Sequence, residues 1–194
     1  AVANADTLLS MDIDYMIEFN VDTSVAPVIM EKFNDAKVPV VAIDIEHDGA
    51  IFFGADNVYA GTLAGETAGD WINENWGGEV DYVVLIIQPV SGPAVAPRAG
   101  MFPQGLRNKG IEFDDSVIVE IDGQNDVQFT QARFADFLLA HPDAEKIAVA
   151  TINDVAASGV YAAAEIANRA EQIVLVSQNA TADFVEPMYA VEGK

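Results

Sequence analysis

The stretch VPVVAIDIEHDGAIFFGADNVYAG, residues 38–61, decides the fold. Its opening run, residues 38–43, is wholly apolar, rich in β-branched side chains and too short for a useful helix, and it stops on an acid, Asp44. That pattern predicts a strand buried on both faces. A polar loop follows, then a short apolar run over residues 51–53, then Gly54, Asp56 and Asn57, where an Asp or Asn side chain can cap a long helix starting there. Strand, acid, loop and capped helix come in that order.

The same alternation extends outward from this stretch. Upstream, DYMIEF (residues 14–19) predicts a strand ending at Asn20; Asp22, Thr23 or Ser24 can then cap a helix with Val25, Ile29 and Phe33 at helical spacing and Pro27 in its first turn. Downstream, the helix from Asn57 is expected to bury Ala64, Ala68, Trp71 and Ile72, to expose Glu66, Asp70, Asn73 and Glu74, and to end at Gly77 and Gly78. Residues 80–87 predict a strand closing on Gln88, followed by a helix carrying Arg98, Met101, Phe102 and Leu106 that Pro103 kinks or shortens. A strand over 117–121 ends at Asp122, a helix over 127–140 follows, and a strand over 146–150 leads to Asn153 and Asp154. Either of these can cap an alanine-rich helix running through Ala167. Residues 173–176 form the last expected strand, followed by Ser177, Gln178, Asn179 and a short helix. Strands alternating with helices indicate βαβ units, hence an α/β chain with parallel sheets and helices on both faces. The two glycines between residues 76 and 79 mark the expected junction, giving lobes over 1–76 and 77–194.

Composition bounds the function. With 51% hydrophobic residues in 194, the chain can bury a sizeable core. Thirty-one acids against nine scattered bases, a formal charge of −22, make nucleic acid and anionic membrane surfaces poor partners. No window approaches 18 consecutive apolar residues, so no membrane insertion is expected in this segment. The start, AVANADTLLS, has neither an initiator Met nor a basic region before an apolar one, and is expected to lie inside an element, as in a fragment or processed product. The absence of cysteine excludes disulfides, thiolate nucleophiles and cysteine-ligated zinc. If the charge reflects adaptation to salt, the melting temperature should climb from dilute buffer to molar KCl, beyond what a screening length of about 10 Å at 0.1 M provides. Equal melting temperatures at both ends would mark an ordinary acidic protein.

Function is signalled at the strand ends. Asn20, Asp44, Gln88, Asp122, Asn153, Gln178 and Asn179 each follow an apolar strand, and open parallel sheets bind ligands at the carboxyl ends of their strands. Singly, each reads as a cap or turn residue. As a set they line a crevice with carboxylates and carboxamides. Phosphate loops, dinucleotide fingerprints and nucleophile elbows are absent from the sequence. Of its two histidines, His141 reads as a helix-terminal residue and His47, just beyond Asp44, can reach the crevice. Asp12 with Asp14 and Asp114 with Asp115 read as solvated turns rather than metal ligands. Trp71 and Trp76 read as core or hinge packing, and at least one of Phe52 and Phe53 as buried. No catalytic residue, cofactor or metal is expected.

VPVVAID followed by FFGADNVYAG, then PRAGMF, LLAHPDAEKIAVATIND and IVLVSQNAT, resembles the periplasmic sugar-binding proteins of ABC importers of the ribose and galactose type. The likeness runs in order along nearly the whole chain. It implies the type I periplasmic binding protein fold, shared with the ligand-binding domains of lac-repressor-type regulators: two Rossmann-like lobes, each a parallel sheet flanked by helices, closing over a sugar. It also implies that the segment is incomplete at both termini. By the resemblance, Asp44 matches an acid that accepts hydrogen bonds from sugar hydroxyls, Arg98 a sugar-oxygen donor, and Asn153 the asparagine of the family's ND motif. Asn179 stands where an aspartate is usual, Gln178 where an aromatic is common, Asn125 where some members stack an aromatic on the ring, and Ile45 where the ribose type has arginine. The implied partners are a monosaccharide or polyol and the membrane permease of an ABC transporter. The implied location is the periplasm or the cell exterior, with a cell-surface lipoprotein as one form. The ligand-binding domain of a lac-repressor-type regulator and an enzyme on a doubly wound fold are the alternative readings.

Overall fold

A computed structural model describes residues 1–191. Their contacts divide the chain into two units: residues 1–57 with 89–96, and residues 58–88 with 97 onward.

In the first unit, the apolar run that opens the deciding stretch is a strand, β2 (Val40–Ile43), lying between β1 (Met16–Glu18) and β3 (Ile51–Phe53) in a three-stranded parallel sheet. Helices α1 (Val2–Leu9) and α2 (Ala26–Asp35) pack on one face, where Ala5, Ile29, Met30, Phe33 and Val40 form a buried cluster with Met16 against it. The other face carries Ile17, Val41 and Ile51 side by side in register, with Phe19 and the Ile43–Phe53 pair beyond them. Ile17, Phe19, Ile51 and Phe53 are exposed there. Among the described residues of this unit, no helix covers that face. Phe52 and Phe53 are both exposed, at 41% and 71%, where at least one was expected inside, because β3 is an edge strand.

The second unit has both layers. Its four-stranded sheet runs β5 (Ile118–Asp122), β4 (Tyr82–Ile87), β6 (Ile147–Thr151), β7 (Ile173–Val176), all parallel. Val83, Leu85, Ala148 and Ala150 face a cluster containing Ala68 and Ile72 of α3 (Asn57–Trp76), Ala99 of α4 (Pro97–Gly100), and Phe102 and Leu106 of α5 (Phe102–Asn108). Side chains alternate across a strand, so Val84, Ile86, Ile147 and Val149, also buried, point to the opposite face, where α6 (Val127–Ala140) and α7 (Asp154–Ile166) pack on the strands. The expected kink at Pro103 is a break between α4 and α5, with the proline in the first turn of α5, where its missing N–H costs no helical bond. Arg169 ties the end of α6 down by donating to the carbonyls of Leu138, His141 and Ala144.

Helix α3 belongs with this second unit. Gly65 and Gly105 let the backbones of α3 and α5 touch: a Cβ on Gly65 would stand 2.2 Å from the Phe102 carbonyl oxygen, and one on Gly105 2.2 Å from that of Thr62. Asn108 donates to Glu66 at 2.8 Å, and Lys109 to Asp70 at 2.8 Å; the Asp70 carboxylate holds the Lys109 ammonium above the ordinary lysine value. By its contacts α3 therefore groups with residues 58–88 and 97 onward. Gly77 and Gly78, both with positive φ (66° and 83°), end a helix without ending a unit. Trp71, expected inside, is 42% exposed and meets Trp76 edge to face at 5.1 Å.

Candidate functional site

Each unit gathers polar side chains at the carboxyl ends of its strands. In the first, Asp44 follows β2 in a left-handed conformation (φ 58°) that Asp tolerates better than most residues. Its N–H continues the ladder to the Phe53 carbonyl at 3.0 Å, and its Oδ1 accepts from Ala55 N–H at 3.4 Å, leaving a half-buried carboxylate with acceptor capacity to spare. Asn20, after β1, accepts from Asp22 N–H at 3.2 Å. Asn57 donates to the Ala94 carbonyl at 2.8 Å and so anchors the 89–96 segment to this unit. His47, which by its position could reach the crevice, turns inward: its side chain is fully buried, with Nε2 3.4 Å from Glu18 Oε2. Ile45 is also buried.

In the second unit the expected residues form two pairs. Asn153 caps α7 by accepting from Ala156 N–H at 3.1 Å, and its amide nitrogen donates to Asn125 Oδ1 at 2.7 Å. Being a helix cap and being a binding residue are therefore compatible at Asn153, because capping occupies only its oxygen. Asn125 sits in a left-handed turn (φ 53°) that Asp122 closes by accepting from Gln124 N–H at 2.9 Å, which makes Asp122 a turn residue. Arg98, on the short helix α4, reaches Asn179 Oδ1 at 3.5 Å; Asn179 itself has φ 94°. Gln178 falls outside both pairs and lines a largely apolar cavity of about 610 Å³ with Leu63, Val176 and Phe184 among others.

The residue that sequence reasoning undervalued is Asp154. Read as a possible cap, it is buried, and its two carboxylate oxygens hold the turn after β7: Oδ1 accepts from Ser177 Oγ at 2.7 Å and Oδ2 from Thr181 N–H at 2.6 Å. That turn carries Gln178 and Asn179. Among the described residues no group of three or more His, Cys, Asp or Glu side chains is arranged to hold a metal ion, and no helix is long and apolar enough to cross a membrane.

The sequence profile described as "Periplasmic binding protein domain" matches residues 1–191. The chain belongs to that family. Among the curated proteins, none matches it. Solved structures similar to it include an ABC transporter periplasmic solute-binding protein from Actinobacillus succinogenes 130z with bound D-allose (TM-score 0.76, 17% identity, covering 99% of this chain and 67% of that one). A second is the periplasmic binding component of the arabinose ABC transporter from Shewanella sp. ANA-3, bound to α- and β-L-arabinofuranose (0.76, 21%, 97% and 63%). A third is an ABC transporter solute-binding protein from Bacillus halodurans C-125 with bound myo-inositol (0.75, 21%, 100% and 64%). At these identities the likeness establishes the fold, and the chain spans about two thirds of the length of these structures. The expected type I periplasmic binding protein fold, with parallel sheets flanked by helices, is thereby confirmed.

For a member of the periplasmic binding protein domain family, Asp154 carries a direct test. Asp154→Ala removes the acceptor of two hydrogen bonds at a buried carboxylate and should cost about 2–3 kcal/mol in urea unfolding, freeing the 177–181 turn. An unchanged midpoint would mean that the turn is held by its own backbone.

Proposed function

We propose that this chain is the binding portion of an extracytoplasmic solute-binding protein, which captures a monosaccharide or related polyol and hands it to the permease of an ABC importer. It acts by binding, not catalysis, in the periplasm or at the cell exterior. Asp44, Arg98, Asn125, Asn153, Gln178 and Asn179 supply the hydrogen bonds. The observation that carries the reading is the pairing of Arg98 with Asn179 and Asn125 with Asn153, which groups fixed guanidinium and carboxamide donors and acceptors at the strand ends of one sheet. A neutral polyol offers each hydroxyl as both donor and acceptor, and such amide, carboxylate and guanidinium groups complement it without a charge to neutralise. Family membership and the neutral polyhydroxy ligands named for the similar structures support the same class.

A thermal-shift panel on the full-length protein tests the class. D-allose, L-arabinose, myo-inositol and other pentoses, hexoses and polyols should include one that stabilises it, by about 2.7 kcal/mol at 100 times Kd. Silence across that panel with a response to nucleotides or amino acids would overturn the reading.

A further inference from the structure

Only residues 44–50 connect β2 to β3, although the strands are parallel and parallel crossovers ordinarily take a dozen residues or more. So short a link demands special backbone: φ is 58° at Asp44 and 87° at Gly49, Ile45 N–H donates to the Ile43 carbonyl at 2.7 Å, and Ala50 N–H to the His47 carbonyl at 3.0 Å. Left-handed geometry is less favourable at Asp than at glycine, so the surroundings help to hold the loop in place. Asp44 is the first residue of that loop, and the loop's shape sets where its carboxylate points.

What holds it is out of character for a core. Glu18 ends β1 on the side that Met16 presents to α1 and α2, where an apolar residue is the norm, and its side chain is 7% exposed. His47, the fourth residue of the loop, meets it from above with a side chain 0% exposed and Nε2 at 3.4 Å from Glu18 Oε2. Among the described residues, neither ring nitrogen of His47, nor Glu18 Oε2, nor the nearby Asn20 Nδ2, has a hydrogen-bond partner. Desolvating a carboxylate and an imidazole at this contact distance costs more than the contact returns, and two apolar side chains would fill the same space at lower free energy. Stability does not account for the pair. Complementarity does: the carboxylate and the imidazole are each other's polar neighbour at 3.4 Å, whereas apolar side chains accept many arrangements.

We propose that Glu18 and His47 are positioning residues, a buried lock between the end of β1 and the β2–β3 loop that holds Asp44 in its binding orientation before ligand arrives. The inference rests on the reading of Asp44 as a ligand residue, and its test separates the two. In the unliganded full-length protein, hydrogen exchange is followed at the amides of Asp44, Ile45 and Ala50, each hydrogen bonded in the structure. Glu18→Met alone leaves a buried imidazole without its partner and should lower the melting temperature; Glu18→Met with His47→Leu should restore it. In that double variant the three loop amides should nonetheless exchange about tenfold faster than in the wild type, with α2 unchanged. Glu18→Gln, which keeps the size and an acceptor oxygen but cannot ionise, should melt close to the wild type and show an intermediate acceleration. Wild-type exchange at the loop in Glu18→Gln, or in a double variant with restored melting, would overturn the lock. Faster exchange with unchanged affinity for the polyol found by thermal shift would keep the lock and remove Asp44 from the ligand set.

Discussion

Asp44→Ala and Arg98→Ala should each weaken polyol binding roughly 10- to 150-fold, since a hydrogen bond to a charged group contributes about 1.5–3 kcal/mol. Neither should lower the melting temperature of the unliganded protein appreciably. Arg98 sits on a four-residue helix and reaches Asn179 at a long 3.5 Å, and Asp44 accepts from Ala55 at a comparably long 3.4 Å. Hydrogen bonds of that length are weak ones. The two residues belong to different units, so the double variant asks whether both units grip the same molecule. A loss smaller than the sum of the single losses indicates coupling through one bound ligand, and strict additivity argues against it. Titration calorimetry on the full-length protein reads all three values; wild-type affinity in both single variants would place the ligand elsewhere.

The largest effect on stability is expected at the contact between α3 and α5. Gly105→Val forces a branched side chain into a space where even a Cβ would stand 2.2 Å from Thr62 O, 2.7 Å from Glu66 N and 2.7 Å from Gly65 Cα. Those neighbours are backbone, so no rotamer change relieves the clash, and the helices must separate over the cluster of Ala68, Ile72, Phe102 and Leu106. Overpacking of this kind costs about 3 kcal/mol or more, a fall of about 6–12 °C in melting temperature for a chain of this size. Gly65→Ala strains the same contact, and combining it with Gly105→Ala should cost less than the two separately, because one displacement accommodates both. A Gly105→Val protein that melts with the wild type would mean that α3 does not pack there.

How far the sequence could be read follows from the range of the interactions involved. The helix over 127–140 and the strand over 173–176 were legible to the residue, because apolar periodicity acts within a few positions; the structure adds the cap at Asp126, which accepts from Phe129 N–H at 2.7 Å. Asn153 was legible as a candidate for the same reason, since it sits where a strand ends, whereas Asn125 was singled out only through the resemblance to the family. Their 2.7 Å partnership joins positions far apart in the chain, and only the register of β5, β4 and β6 brings them together. Asp154 looked like a cap because its neighbours in sequence are a helix start; its bonds to Ser177 and Thr181 exist only once β7 pairs with β6.

Two signals were present in the sequence and carried more than a local reading took from them. Gly61, Gly65 and Gly69 recur every four residues along α3, one stripe of a helix that would be steadier with alanine, and such a stripe marks close packing against another backbone. Glu18 breaks the apolar pattern of β1 at the inward position two residues after Met16. The sequence by itself determined the order of strands and helices, their parallel pairing and the polar residues at the strand ends, since backbone propensity, periodicity and capping are short-range. Tertiary structure alone decided that α3 serves the second unit, that His47 points into the core, and which strand-end residues meet. Those outcomes depend on which surfaces exclude water together, and that is settled only when the whole chain has packed.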